Sequence, residues 1–188
     1  MIGDLPRSLE VNGRKYRIRT DYRDVLKIVT AMGDPNLKDS EKVYVCLVIL
    51  YPDFEDIPRN DLEAAFKAAV QFIDCGAEQG KKKKVSPRTM DWEQDESLIF
   101  PAINKVIGRE VRTMKYVHWW TFMGWFMEIG EGVYSSVLSL RQKRYVKKKP
   151  LEKWEREYWT ANKDICVLKP KYSDEEKARR ARIWAMYS

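Results

Sequence analysis

The feature that most constrains this fold is a single apolar run, Val117 to Ile129. It is broken only by His118, Thr121, Gly124 and Glu128. As a helix it spans roughly 20 Å at 1.5 Å per residue, short of the roughly 30 Å bilayer core. It therefore reads as a buried helix from about Tyr116 to Ile129. On the helical wheel Trp119, Phe122, Met123, Trp125, Phe126 and Ile129 cover a wide arc, leaving a narrow face to Thr121, Gly124 and Glu128. A helix apolar around most of its circumference needs helices around it.

The rest of the chain has helical periodicity after one hairpin. Leu9 and Val11 alternate with Glu10, Asn12-Gly13 supplies a two-residue turn, and Tyr16 and Ile18 alternate on the return strand. A lone hairpin is marginal in water, so its apolar face must lie on helices. Thr20 and Asp21 open a helix through Val25, Leu26, Ile28 and Val29 that stops near Gly33. Ser40 caps a second, with Val43, Leu47 and Leu50 on one face and Tyr51-Pro52 as its stop. Asn60 begins a third, carrying Leu62, Phe66, Ala69 and Ile73 and closing at Cys75-Gly76. A fourth starts at Asp91, with Leu98, Ile99, Ala102, Ile103 and Val106 as its stripe, and Pro101 is expected to kink or split it. Helices from Val133 to the Arg141–Lys149 run, from Leu151 to Ile165, and from Asp174 to Tyr187 complete the chain. The fold class is mainly α: a helical, bundle-like body with a small N-terminal β-hairpin. The organisation reads as hairpin plus helices over 1–75, a basic flexible linker over 76–90 containing Lys81 to Lys84, a central helical core over 91–170, and a basic C-terminal helix or tail over 171–188.

Charge is concentrated at one end. The 188 residues carry a formal +7, and residues 141–188 hold 15 basic against 7 acidic side chains. An acidic partner belongs there, yet a solvated face is the commoner use of such an excess. Cys46, Cys75 and Cys166 lack the spacing of a zinc site or a redox dithiol and read as reduced thiols. No secretory leader opens the sequence, and the expected compartment is the cytoplasm.

Catalytic parts are few. His118 is the single histidine, so any Ser-His or Cys-His arrangement depends on it, and its place beside Trp119 and Trp120 favours a structural role. No phosphate-binding glycine loop or dinucleotide fingerprint is present. Asp91 and Asp95, one turn apart, could share a hard cation, but acids at a helix start are expected from capping and the helix dipole alone. No catalytic residue, metal or cofactor is assigned. Basic residues interleave with aromatics in Trp154, Tyr158 and Trp159, and again in Arg179, Arg180, Ile183, Trp184 and Tyr187. These are the candidate partner-binding residues.

Three stretches resemble the bacteriophage Gp-fifteen family: Asp91 to Phe100, Val117 to Phe122 with its His118-Trp119-Trp120-x-Phe122 core, and Leu138 to Arg141. The resemblance extends over most of residues 5–170. It makes Asp91, Ile99, His118, Trp119, Trp120, Phe122 and Arg141 a signature of the fold. It implies a non-enzymatic role in tail morphogenesis. The implied protein is a chaperone that binds the tape-measure protein, with tail-tube protein as a further partner and no membrane. Two alternatives stand beside it: a structural component of the virion, or a nucleic-acid-binding protein acting through the basic C-terminal region.

Overall fold

The computed structural model describes residues 3–77 and 86–186, the last without its side chain. The expected Lys81–Lys84 linker and Tyr187 lie outside the described residues. Within them the chain forms one antiparallel hairpin and nine α-helices. These divide into two units, one of residues 1–76 with 170–188 and the other of residues 77–169.

In the first unit, strands β1 (Ser8–Val11) and β2 (Arg14–Arg17) pair Val11 with Arg14 and Leu9 with Tyr16. Asn12 (φ 48°) and Gly13 (φ 82°) both take the left-handed backbone that a type I′ turn needs. Val11 and Tyr16 point inward and are buried. Helix α1 (Tyr22–Met32) is capped by Asp21, whose carboxylate accepts from the Arg23 N–H at 3.0 Å, and it ends at Gly33. Val25 and Ile28 are its fully buried residues.

Helix α2 (Asp39–Leu50) starts one residue before the expected cap. Glu41 reaches back to accept the Lys38 N–H at 2.7 Å, which fixes the first turn without Ser40. Its far end is held by Arg19, which donates to the Val48 and Ile49 carbonyls. A 3-10 turn, Arg59–Asp61, precedes α3 (Leu62–Ile73). The most buried residues of α3 are Ala65, Ala69 and Phe72, whereas Leu62, Phe66 and Ile73 are half-buried. Small side chains at the contact let its backbone approach α2, and the Tyr51 hydroxyl, just past α2, donates to the Ala65 carbonyl at 2.9 Å. Cys75 and Gly76 end α3 with positive φ, and the Gly76 N–H donates to the Gln71 carbonyl. Helix α9 (Asp174–Met186) belongs to this unit, and the Asp174 N–H donates to Asn36 Oδ1 at 2.8 Å.

The second unit holds α4 (Glu96–Ile107), α5 (Trp119–Met127), α6 (Val133–Arg141), α7 (Lys153–Ala161) and α8 (Lys163–Cys166). Here the sequence expectation needs correction. Residues 91–95 form turns, so α4 begins at Glu96. Helix α4 runs unbroken through Pro101, whose ring is on the exposed side, where a displaced carbonyl can turn to water. Helix α5 is shorter than Tyr116–Ile129. Tyr116 and Val117 are outside the helix, which starts only after His118, its N-cap. Nor is α5 enclosed: Trp119 and Phe122 are buried, Trp120, Met123, Trp125 and Phe126 are half-buried, and Met127 is 70% exposed. After α6 the chain widens into a π-helical turn, Gln142–Val146. One buried cluster of this unit gathers Val137, Leu140, Leu151, Trp159 and Cys166. All three cysteines are free thiols, and burial raises the Cys46 thiol to about 12.

Candidate functional site

The signature residues meet in the second unit, and Arg141 is at their centre. It ends α6 one position after Leu140 and is 2% exposed. An arginine carries five N–H donors, and buried donors need partners. All five are used. Two donate to the Asp95 carboxylate at 2.8 Å each, and the others go to the carbonyls of Thr89, Ile165 and Cys166. One side chain thus ties the start of α4, the end of α6 and α8 together. Asp95 also accepts the Asp91 N–H at 2.9 Å.

Asp91 extends the network. One carboxylate oxygen accepts the N–H groups of Glu93 and Gln94, and the other accepts from Arg88 at 2.6 Å. Arg88 and the Gln94 amide both donate to the Lys169 carbonyl, while the Lys169 N–H donates back to Gln94. Every oxygen that Asp91 and Asp95 could offer a shared cation is therefore occupied by a guanidinium or a backbone N–H. Among the described residues no three His, Cys, Asp or Glu side chains are grouped as metal ligands.

His118 is buried and works as a cap. Its Nδ1 accepts the Trp120 N–H at 3.1 Å, so the proton of the neutral ring is on Nε2. Trp119 stacks on Phe122 with centroids 5.9 Å apart, and Trp92 leans on Trp119, Phe122 and Phe126. Ile99 is fully buried. Trp120 is half-buried, with its ring edge-on to His118.

The candidate partner-binding residues separate. Trp159 is buried in the core, with Tyr145 edge-on to it and the Arg144 guanidinium 4.7 Å above its ring, so it is not surface. Trp154 is 62% exposed and shares a groove of about 410 Å³ with Tyr158, Leu140, Ser135 and Ser139, between α6 and α7. Arg179, Arg180, Ile183 and Trp184 are exposed on α9, where Arg180 stacks on Tyr172 at 4.3 Å.

Two features had no sequence reading. One is the Arg141–Asp95 pair, although Arg141 following the buried Val137 and Leu140 was a usable hint. The other is a second groove of about 460 Å³ where α4 meets the α5–α6 turn, lined by Leu98, Ala102, Val106, Ile129 and Val133. Both grooves are partly open to solvent. No described helix is long and apolar enough to cross a membrane.

No curated protein and no solved structure matches the chain. The family model described as Bacteriophage Gp15 protein matches residues 1–168, which takes in the hairpin, the Arg141 network and the aromatic cluster and stops short of α9. The chain belongs to the bacteriophage Gp15 family.

Proposed function

We propose that this chain is a non-enzymatic tail-assembly chaperone that keeps the tape-measure protein soluble until tail-tube protein assembles around it. The reading rests on membership of a phage family together with one surface observation. The chain keeps a large aromatic, Trp154, exposed beside an open groove instead of burying it. A tape-measure protein is a long helical client, and helix recognition uses grooves that accept apolar anchors spaced one turn apart. Trp154 and Tyr158, also one turn apart on α7, offer such a rail, with the α6 serines Ser135 and Ser139 as hydrogen-bonding partners.

Co-expression tests it. Tape-measure protein from the same phage should be recovered soluble with this chain and insoluble without it. Trp154→Ala should return most of the client to the pellet while the chaperone itself stays folded. Equal insolubility with and without the chain overturns the reading. Recovery of the chain as a stoichiometric part of purified particles would favour the virion-component alternative.

A further inference from the structure

Helix α5 is apolar on more sides than its own unit covers. No residue from Trp119 to Met127 is charged, and a helix apolar all round belongs inside a core. Trp119 and Phe122 meet that expectation and are buried. On the side turned away from Phe122, Trp120, Met123, Gly124 and Met127 fall at i, i+3, i+4 and i+7, within an arc of about 100°. Trp120 and Met123 are half-buried, and Gly124 and Met127 are exposed. The stripe is therefore open to solvent at its centre and at its C-terminal end.

Gly124 is the informative member. A glycine inside a helix gives up stability relative to alanine through backbone entropy, and it suits places where another backbone comes close. Within this chain nothing does: a Cβ at Gly124 would meet no atom of a neighbouring element within 4 Å. The close neighbour must come from another molecule. Charge gives its direction. Helix α5 has no acid in its first turn and no base in its last, so its side chains compensate neither end of its dipole. Glu128, its exposed C-cap, even sets a carboxylate at the negative end. An antiparallel helix alongside corrects both faults.

We infer that α5 packs antiparallel on α5 of a second copy, across a two-fold axis that passes between Met123 and Gly124. In that register the stripe complements its own reversal. Met123 faces the gap over Gly124 of the second copy, and Trp120 faces Met127 of the second copy, a thioether against an aromatic ring. Glu128 of each copy comes to the N-terminal turn of the other, the positive end of its dipole. The contact is isologous, so it closes at a dimer. None of these residues lines the Trp154 groove, so the proposal goes beyond the chaperone reading and does not depend on it.

Sedimentation velocity tests it. Two nine-residue helices offer less area than the roughly 1,200 Å² at the low end of stable interfaces, so wild type should pass from monomer to dimer at concentrations on the order of 0.1 mM. Gly124→Leu fills the gap that Met123 needs and should weaken dimerisation about tenfold, the effect of one overpacked side chain. Because leucine is the better helix former and the position is open, the dilute monomer should melt no lower than wild type. Met127→Glu sets a carboxylate against Trp120 of the second copy and should weaken the dimer at least as much. Trp154→Ala should leave the dimer intact. A monomer at every concentration overturns the proposal, as do species that grow beyond a dimer. So does a dimer indifferent to both α5 substitutions or lost in Trp154→Ala.

Discussion

The two units reach stability by different routes. In the first, most packing is between consecutive elements, and its buried fastenings include hydrogen bonds to backbone, such as Tyr51 to Ala65, with Arg19 holding the end of α2. In the second, helices are short and the decisive fastening is a buried ion pair between residues 46 positions apart, Asp95 and Arg141. Loss of one contact in the first unit leaves neighbours that still cover the gap. Loss of either partner in the second leaves a buried charge.

The largest effect should therefore come from Asp95→Asn, which keeps the shape and removes the charge. Breaking a buried pair by one partner costs about 3–5 kcal/mol. Urea unfolding should show that loss, and amide exchange should place it in residues 86–169 while residues 8–73 keep their protection. Uniform loss across both units would show a single cooperative body and break the comparison. The double variant Asp95→Leu/Arg141→Met should recover much of the stability, since apolar replacement of both partners removes the desolvation penalty.

Trp119→Ala comes next. Truncating a buried tryptophan costs about 3–5 kcal/mol, and here it also removes the stack on Phe122 and the contact with Trp92. Lower melting temperature or insoluble protein is expected, and an unchanged melt would remove Trp119 from the core.

Smaller effects of similar size should follow from one position in each unit. His118→Ala deletes the α5 cap and should cost about 1 kcal/mol, with His118→Asn recovering most of it because asparagine also accepts at an N-cap. Gly13→Ala forces a side chain into positive φ at the hairpin turn and should cost about 1 kcal/mol. Chemical denaturation of the three variants measures both; no loss in Gly13→Ala would mean that the hairpin is not held by its turn.

The difference between the units also decides what could be read in the sequence. The hairpin and α1 were legible because turn, cap and apolar stripe lie within a dozen residues of each other, and α2 was legible by its stripe and its stop, though not by its cap. The α5 start was not legible, because histidine is not among the usual capping residues and the apolar run includes Val117, which is not helical. The signature residues were recognisable by resemblance, but their geometry was not. Arg141 looked like the first member of a basic run, and Asp95 like one of several helix-start acids. Only the fold places them 2.8 Å apart. The grooves depend on how far α5 and α6 leave their apolar residues uncovered, which periodicity does not encode.

The smallest prediction concerns acid. Glu110 caps the 3-10 turn Val111–Thr113, accepting from the Arg112 N–H and guanidinium and from the Asn104 amide, and Arg112 holds its carboxyl down at about 2. Lys143 holds Glu155 below its ordinary value in the same unit. A carboxyl depressed on folding binds its proton more readily in the unfolded chain. Its contribution is therefore complete above the ordinary value of 4.5 and disappears as pH falls towards 2. Between those limits the second unit should lose protection faster than the first. Glu110→Gln should flatten that slope by at most one proton, leaving the remainder to Glu155. Amide exchange at pH 5 and pH 2.5, read separately for residues 8–73 and 86–169, measures it. An acid slope unchanged in Glu110→Gln would mean that the cap persists without its charge.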